Sequence, residues 1–143
     1  MVIIVNSNLD RFIKAQKNDF EIARQELQNG KKESHWMWYI FPQLKGLGFS
    51  YISNYYGIES LTEAKANYDN EYLKSNLNEL IKILLNIESN NPTIIFGSPD
   101  DLKLKSSMTL FYLATNEKRF KKVLDKYYNG ELDQKTLDLL NQL

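Results

Sequence analysis

Residues 97–111 read GSPDDLKLKSSMTLF, and this stretch decides the fold. Its apolar residues, with Leu113 after them, surround the axis of a helix instead of forming one stripe, and this pattern predicts a buried central helix. Ser98 followed by a proline and two acids is typical of a helix start. We therefore expect Ser98 to cap a helix that begins at Pro99, reaches about Ala114 and is covered by other helices.

Polar side chains share this helix with the apolar ones, although buried charges are unfavourable unless they are paired. Asp101 and Lys105 are four residues apart, so we expect an ion pair between them. Lys103 is expected to face a cavity near the helix N-terminus, where free N–H groups and the helix dipole favour an anion. The alternative for the serines is that they only permit close packing. Four candidate ligand contacts follow: Lys103, Lys105, Ser106 and Ser107.

A second motif, ESHWMWYIFPQLKGLG at residues 33–48, concentrates aromatic side chains around the one histidine of the chain. We expect Ser34 to cap a short helix from His35 to about Phe41, where a proline ends it. Burial of large apolar side chains stabilises a fold, so core positions are predicted for Trp36, Met37, Ile40 and Phe41. The candidate wall of a site is His35, Trp38 and Tyr39, with Lys32 and Gln43 as further candidate ligand contacts.

Helical periodicity dominates the rest of the chain, and caps are expected at Asn8, Ser60 and Asp133, among others. The pattern predicts a mainly α, single compact domain of six or seven helices over residues 8–143, with at most one or two short strands. Residues 1–7 are expected to form an N-terminal extension or an edge strand, with Val2 to Val5 as the strand. Residues 93–96 form either a strand or one helical turn.

Composition and charge disfavour several classes of function. The chain of 143 residues carries 18 basic and 18 acidic side chains, and this balance argues against a broad nucleic-acid-binding surface. With no cysteine and one histidine, we expect no disulfide, no thiolate catalysis, no metal site and no cofactor. No segment has the apolar pattern of a signal peptide or the length of a membrane span, so a soluble cytoplasmic protein is expected.

In both motifs and in shorter stretches the sequence resembles the domain-of-unknown-function 1810 family, whose bacterial members are sometimes labelled calpastatin. The matching stretches are 34–48, 97–111, Asp10-Arg11-Phe12, Ala15-Gln16, 123–130 and Thr136-Leu137, within about residues 8–140. The resemblance implies a compact, mainly α-helical domain and no established activity. Lys105 stands where many relatives are expected to carry arginine, so the charge is kept but the bidentate geometry is lost.

The two motifs are expected to lie side by side, because each is too polar for a core and too apolar for a surface. Together they predict a pocket for a small anionic, nucleotide-like ligand. If the protein is an enzyme, His35 is the acid or base and Asp100 or Asp101 its partner, in a metal-independent hydrolase or glycosidase acting on a nucleotide derivative. The alternatives are a non-catalytic sponge or sensor for a nucleotide signal, and a protein-interaction domain. The oligomeric state is left open.

Overall fold

The computed structural model describes residues 9–143, and these residues form nine helices and no strand. The helices are α1 (Asp10–Gln28), α2 (Met37–Ile40), α3 (Tyr51–Tyr55), α4 (Leu61–Asp69), α5 (Glu71–Asn86), α6 (Pro92–Phe96), α7 (Asp100–Thr115), α8 (Lys118–Tyr128) and α9 (Gln134–Asn141). The mainly α fold in one compact domain is confirmed. The number of helices is higher than predicted because the structure adds two short helices of five residues each, α3 and α6. The expected edge strand at Val2 to Val5 and the cap at Asn8 lie outside the described residues.

Helix α7 is the centre of the fold. It packs against α4, α6, α8 and α9, while α1 packs against α2 and α5 on another side of the domain. Leu104, Met108, Leu110 and Phe111 are fully buried, although they point in different directions around the α7 axis. A helix that is apolar on all sides is stable only when it is covered on all sides. The apolar pattern therefore predicted the central position, but Leu102 and Leu113, near the two ends of α7, remain 59% and 36% exposed.

The start of α7 differs from the prediction. The helix begins at Asp100, its N-cap position is Pro99, and no side chain caps it. Ser98 is therefore not the cap, because it lies one residue outside the position from which a cap side chain reaches the first free N–H groups. Asp101 instead accepts a hydrogen bond from the Thr93 hydroxyl at 2.6 Å, which connects the first turn of α7 to α6.

Other helix ends follow the caps that the sequence predicts. The Ser60 hydroxyl accepts from the N–H of Glu63 at 3.1 Å, and the Asp133 carboxylate accepts from the N–H of Thr136 at 3.0 Å. Gly30 follows α1 with a φ of +79°, a backbone conformation that glycine adopts without steric conflict. Local sequence therefore determines where α1, α4 and α9 begin or end.

One carboxylate, that of Glu26 on α1, holds the loop between α1 and α2. It accepts hydrogen bonds from the backbone N–H groups of Glu33 and Ser34 at 2.8 and 2.9 Å. It also accepts from the Ser34 hydroxyl at 2.5 Å and from the Trp36 indole N–H at 2.9 Å. Burial alone would raise the pKa of Glu26, but these hydrogen bonds outweigh it and lower the pKa to about 2.

This arrangement overturns the predicted role of Ser34. Because its hydroxyl is bonded to Glu26, Ser34 does not cap a helix, and α2 begins at Met37 instead of His35. The predicted core positions in this segment are confirmed, since Trp36 is 1% exposed and its neighbours Met37, Ile40 and Phe41 are equally enclosed. Ser34, His35 and Trp36 thus belong to an irregular loop whose path is set by the Glu26 carboxylate on α1.

Glu26→Gln should destabilise the protein by about 1–3 kcal/mol at pH 7, because the donors at Glu33, Ser34 and Trp36 then lose a charged acceptor. The matched control is Glu33→Gln, which removes an exposed carboxylate from the same loop and should change the free energy of unfolding by less than about 0.5 kcal/mol. Chemical unfolding of the three proteins measures this difference. Equal stability of Glu26→Gln and wild type would contradict the role given to Glu26.

The contribution of Glu26 should also depend on pH. Its pKa in the folded protein is about 2, against an ordinary value of 4.5, so its stabilisation is fully present above pH 4.5 and is lost as the pH falls through 2. The difference in unfolding free energy between wild type and Glu26→Gln should therefore be constant near neutral pH and shrink in acid. A difference that stays unchanged down to about pH 2 would show that the carboxylate charge is not involved.

Candidate functional site

The two sequence motifs meet in the structure, as predicted. The backbone N–H of Lys32 donates to the carbonyl oxygen of Ile95 at 2.7 Å, which brings the loop before α2 to the end of α6. The ammonium group of Lys103 lies 5.5 Å from the centre of the Trp38 ring, within the range of a cation–π contact. The segment around α2 and the first turns of α7 therefore form one continuous surface.

Asp100 binds two lysines that come from different parts of the chain. Its Oδ2 lies 2.8 Å from Lys32 Nζ, and its Oδ1 lies 3.4 Å from Lys103 Nζ. The three side chains are largely removed from water, with exposed fractions of 20% for Asp100, 7% for Lys32 and 25% for Lys103. Two ammonium groups that share one carboxylate leave a net charge of one positive unit. We refer to these three residues as the Asp100 triad.

A cleft of about 450 Å³ lies beside the Asp100 triad, and Lys103 belongs to both. Three segments line it: Gln43, Leu47 and Gly48 after α2, then Pro99, Leu102, Lys103, Lys105 and Ser106 at the start of α7, and Asp133, Gln134 and Lys135 at the start of α9. We refer to it as the lysine cleft. The fold thus brings together four of the predicted ligand contacts: Gln43, Lys103, Lys105 and Ser106.

An isolated parallel bridge between Leu44 and Ile58 holds the wall of the cleft that carries Gln43. The N–H of Ile58 donates to the Gln43 carbonyl at 2.9 Å, and the N–H of Lys45 donates to the Ile58 carbonyl at 2.8 Å. Gly57 permits this close approach, since a Cβ atom there would lie 2.8 Å from the Cα atom of Lys45. The position of Gln43 therefore depends on a segment more than ten residues further along the chain.

Arg11 on α1 anchors the segment that ends in Gly57 and Ile58. Its guanidinium donates to the carbonyl oxygens of Tyr55 at 2.8 Å and Gly57 at 3.2 Å, and it pairs with Glu63 on α4 at 3.2 Å. The Arg11 and Glu63 side chains are 12% and 10% exposed, so this ion pair is partly buried. Arg11 belongs to one of the stretches that carry the family resemblance, and its contacts explain why an arginine is suited to this position.

The third segment that lines the cleft, residues 133–135 at the start of α9, is attached to α7 through Thr109. The Thr109 hydroxyl donates to the Lys105 carbonyl at 2.8 Å and accepts from the N–H of Asp133 at 2.9 Å. The Asp133 carboxylate is itself engaged as the cap of α9, whereas Lys135 in the first turn of that helix is exposed. The sequence predicted the cap at Asp133 but not that this segment lines the cleft. No local sequence pattern indicates that α9 returns to the start of α7.

The predicted ion pair between Asp101 and Lys105 is wrong. Lys105 Nζ lies 3.3 Å from Glu131, whose side chain is 71% exposed. Asp101 is occupied by the Thr93 hydroxyl and by the N–H of Leu102 at 2.9 Å. The i, i+4 spacing permits a pair on an isolated helix, but partners from α6 and from the loop after α8 replace it here.

The three predicted catalytic side chains do not come together in the lysine cleft. The His35 side chain is exposed, lines no part of the cleft, and is bound to no other side chain in the described part of the chain. Asp101 faces Thr93, away from the residues that line the cleft. Asp100 is held by Lys32 and Lys103, so its carboxylate serves as their counter-charge.

Three predicted ligand contacts are enclosed instead of lining the cleft. Lys32 is bound to Asp100, donates to the Ser34 carbonyl at 2.6 Å and lies 5.0 Å from the centre of the Trp36 ring. Ser107 is fully buried, and its hydroxyl has no hydrogen-bond partner among the described residues. Tyr39 is also buried, and its hydroxyl is bonded to Asp19 on α1.

Tyr39 is 8% exposed and contacts α1 instead of α7. Its hydroxyl donates to Asp19, and its carbonyl oxygen accepts from the side-chain amide of Gln16 at 2.9 Å. Burial and the hydrogen bond to Asp19 raise the pKa of Tyr39, which remains a protonated hydrogen-bond donor. Trp38, by contrast, is half-buried beside the Lys103 ammonium group, but like Tyr39 it does not line the lysine cleft.

The chemistry available in the lysine cleft is recognition of negative charge. Lys103, Lys105 and Lys135 contribute ammonium groups, and Gln43 and Ser106 contribute an amide and a hydroxyl. Among residues 9–143 no three histidine, aspartate or glutamate side chains are grouped closely enough to hold a metal ion. Within the same residues no helix has the length and apolar character needed to cross a membrane.

The chain belongs to the family described as Protein of unknown function (DUF1810), whose model matches residues 6–140. The resemblance inferred from the two motifs is therefore confirmed. Among solved structures, the fold is similar to that of the conserved hypothetical protein Rv1873 from Mycobacterium tuberculosis, with 44% identity and a TM-score of 0.91. That similarity covers 94% of this chain and 96% of the other. No curated protein matches the chain.

The two tryptophans should respond differently to truncation. Trp36→Ala should destabilise the protein by about 3–5 kcal/mol, because it empties a large buried site and also removes a donor to Glu26. Trp38→Ala serves as the matched comparison, and its half-buried ring should contribute clearly less. Chemical unfolding of both variants measures this. Equal losses of stability would show that the Trp38 ring contributes as much to the core as the Trp36 ring.

Proposed function

We propose that the lysine cleft binds a small anionic molecule with a nucleotide-like structure. The observation that carries this proposal is the Asp100 triad, in which Lys32 and Lys103 share one carboxylate while Lys103 also lines the cleft. An ammonium group that is largely removed from water is unfavourable without a counter-charge. An anion in the cleft would supply the counter-charge that Asp100 provides for only one of the two lysines.

The other polar residues of the cleft add donors of the same kind. Lys105 is paired with Glu131, but a carboxylate that is 71% exposed is well solvated and interacts weakly, so Lys105 can also receive a ligand. Lys135 is exposed in the first turn of α9. Together with the Ser106 hydroxyl, these ammonium groups suit a phosphate or carboxylate, which forms its strongest hydrogen bonds with charged donors.

An apolar side of the cleft supports the nucleotide-like part of the proposal. Leu47, Pro99 and Leu102 line it together with the lysines, and Leu102 is 59% exposed. Small-molecule sites commonly combine apolar walls with a few polar groups that set orientation. A ligand with an anionic group and a flat, less polar ring would satisfy both kinds of lining.

Binding without turnover is the form of this function that we favour. His35 and Asp101 lie outside the cleft, so the proposal assigns no acid or base to a bound ligand. The protein would then act as a sponge or sensor for a nucleotide signal in the cytoplasm, ahead of the alternative of a metal-independent hydrolase or glycosidase. The cleft between the two motifs disfavours a protein-interaction domain in which both motifs are merely core.

Lys103→Met should weaken binding of AMP and inorganic phosphate by about 10- to 140-fold, the loss expected for one charged hydrogen bond. The fold should persist, because Lys32 still neutralises Asp100. The matched control is Lys65→Met on α4, whose side chain is 51% exposed and pairs with Asp69. Isothermal titration calorimetry of the three proteins, with circular dichroism to verify folding, makes the comparison.

Unchanged affinity in a folded Lys103→Met protein would rule out the lysine cleft as the anion site. Equal losses in Lys103→Met and Lys65→Met would point to a general charge effect and would contradict the proposal as well. Mass spectrometry of small molecules released from the purified, denatured protein provides a second test. A compound with a phosphate or carboxylate group is expected, whereas a neutral compound bound at full occupancy would overturn the proposal.

A further inference from the structure

We propose that Phe49, together with Leu102, binds the planar ring of the ligand, so that the cleft selects a nucleotide over an anion that lacks a base. This inference rests on the proposed function and names the class of ligand for the same site. Phe49 follows directly after Leu47 and Gly48, two residues that line the lysine cleft. Its side chain is the most exposed large apolar group among those described, with an exposed fraction of 92%.

The loop that carries Phe49 is fixed on both sides. Before it, a Cβ atom at Gly46 would lie 3.4 Å from the side chain of Leu139, so this part of the loop packs against α9. A Cβ atom at Gly48 would lie 2.6 Å from the Ser53 hydroxyl oxygen, so the next residues run directly along α3. The Ser50 hydroxyl then caps α3. Phe49 is therefore presented to solvent beside the cleft by a loop with defined contacts.

No aromatic residue lines the lysine cleft itself within the part of the chain that the structure describes. The sequence predicted that Trp38 and Tyr39 belong to the wall of the site, but the Trp38 ring faces the Lys103 ammonium group at 5.5 Å, and Tyr39 is buried against α1. A flat ring bound at this site therefore has Phe49 and Leu102 as its most exposed large apolar partners, next to Leu47 and Pro99 in the cleft. Both are large apolar residues that remain exposed without a ligand.

Phe49 and Leu102 form an apolar rim beside the cleft. Charge complementarity favours a nucleotide over other possible occupants of this rim. The rim continues into a cleft that carries Lys103, Lys105 and Lys135, so an occupant must place a negative group within reach of the ring site. A nucleotide joins a planar base to a phosphate through one sugar, and aromatic side chains stack on bases of every type. A purely apolar partner would leave the lysines without a counter-charge.

The test compares the four ribonucleoside monophosphates with ribose 5-phosphate, which carries the same anion and no base. Isothermal titration calorimetry should show that wild type binds at least one nucleotide more tightly than ribose 5-phosphate. Phe49→Ala should weaken binding of that nucleotide by about 5- to 140-fold, the effect of losing one stacked base, and leave ribose 5-phosphate unchanged. The matched control is Tyr51→Ala, whose ring is 83% exposed but belongs to α3, beyond the loop in which Phe49 adjoins the cleft-lining Gly48.

Leu102→Ala provides a second variant, with Ile94→Ala as its control because that residue is 62% exposed outside the cleft. Leu102→Ala should weaken binding of the nucleotide and not of ribose 5-phosphate, and Ile94→Ala should change neither affinity.

Equal affinity of wild type for nucleotides and ribose 5-phosphate would overturn the inference while leaving the proposal of an anion-binding cleft intact. Equal losses in Phe49→Ala and Tyr51→Ala would also overturn it. If wild type binds none of these compounds, the proposed function fails and this inference fails with it.

Discussion

The carboxylate of Asp100 binds two ammonium groups, at 2.8 Å from Lys32 and 3.4 Å from Lys103, and the surrounding surface depends on this contact. Lys32 comes from the loop after α1 and Lys103 from the second turn of α7. Without the carboxylate, two largely enclosed positive charges would face each other, which is strongly unfavourable. Asp100 also lies in the first turn of α7, where the helix dipole favours a negative charge. One side chain thus joins the two motifs and leaves one excess positive charge beside the cleft.

A second carboxylate, Glu26, determines how Lys32 reaches Asp100. By binding the backbone at residues 33 and 34 and the Trp36 indole, it sets the path of the loop on which Lys32 lies. The Trp36 ring is buried beneath this loop and lies 5.0 Å from the Lys32 ammonium group. The Glu26 carboxylate and the Trp36 ring therefore enclose Lys32 and present it to α7.

Much of the fold follows from local sequence, because the apolar pattern around α7 and the caps at Ser60 and Asp133 act over one or two helical turns. The site follows only in part. Gln43, Lys103, Lys105 and Ser106 were predicted as candidate ligand contacts, and the fold brings all four to the lysine cleft. Ser107 and Tyr39 were misplaced, since small differences in helix orientation decide which neighbours face a cleft. Glu26 and Lys135 were missed, as was the place of Asp133 in the cleft, because these roles arise from contacts between distant segments, which spacing rules do not describe.

A crystal structure of the protein with AMP bound tests the central claim most directly, because that claim concerns where a negative charge lies. The proposal predicts that the phosphate oxygens lie within hydrogen-bond distance of Lys103 Nζ, with Lys105 or Ser106 as a further donor and the base against Phe49 or Leu102. In that structure Lys32 and Asp100 should remain paired, since they support the site from behind. An ordered AMP molecule bound elsewhere on the surface, with the lysine cleft holding none of its atoms, would contradict the account.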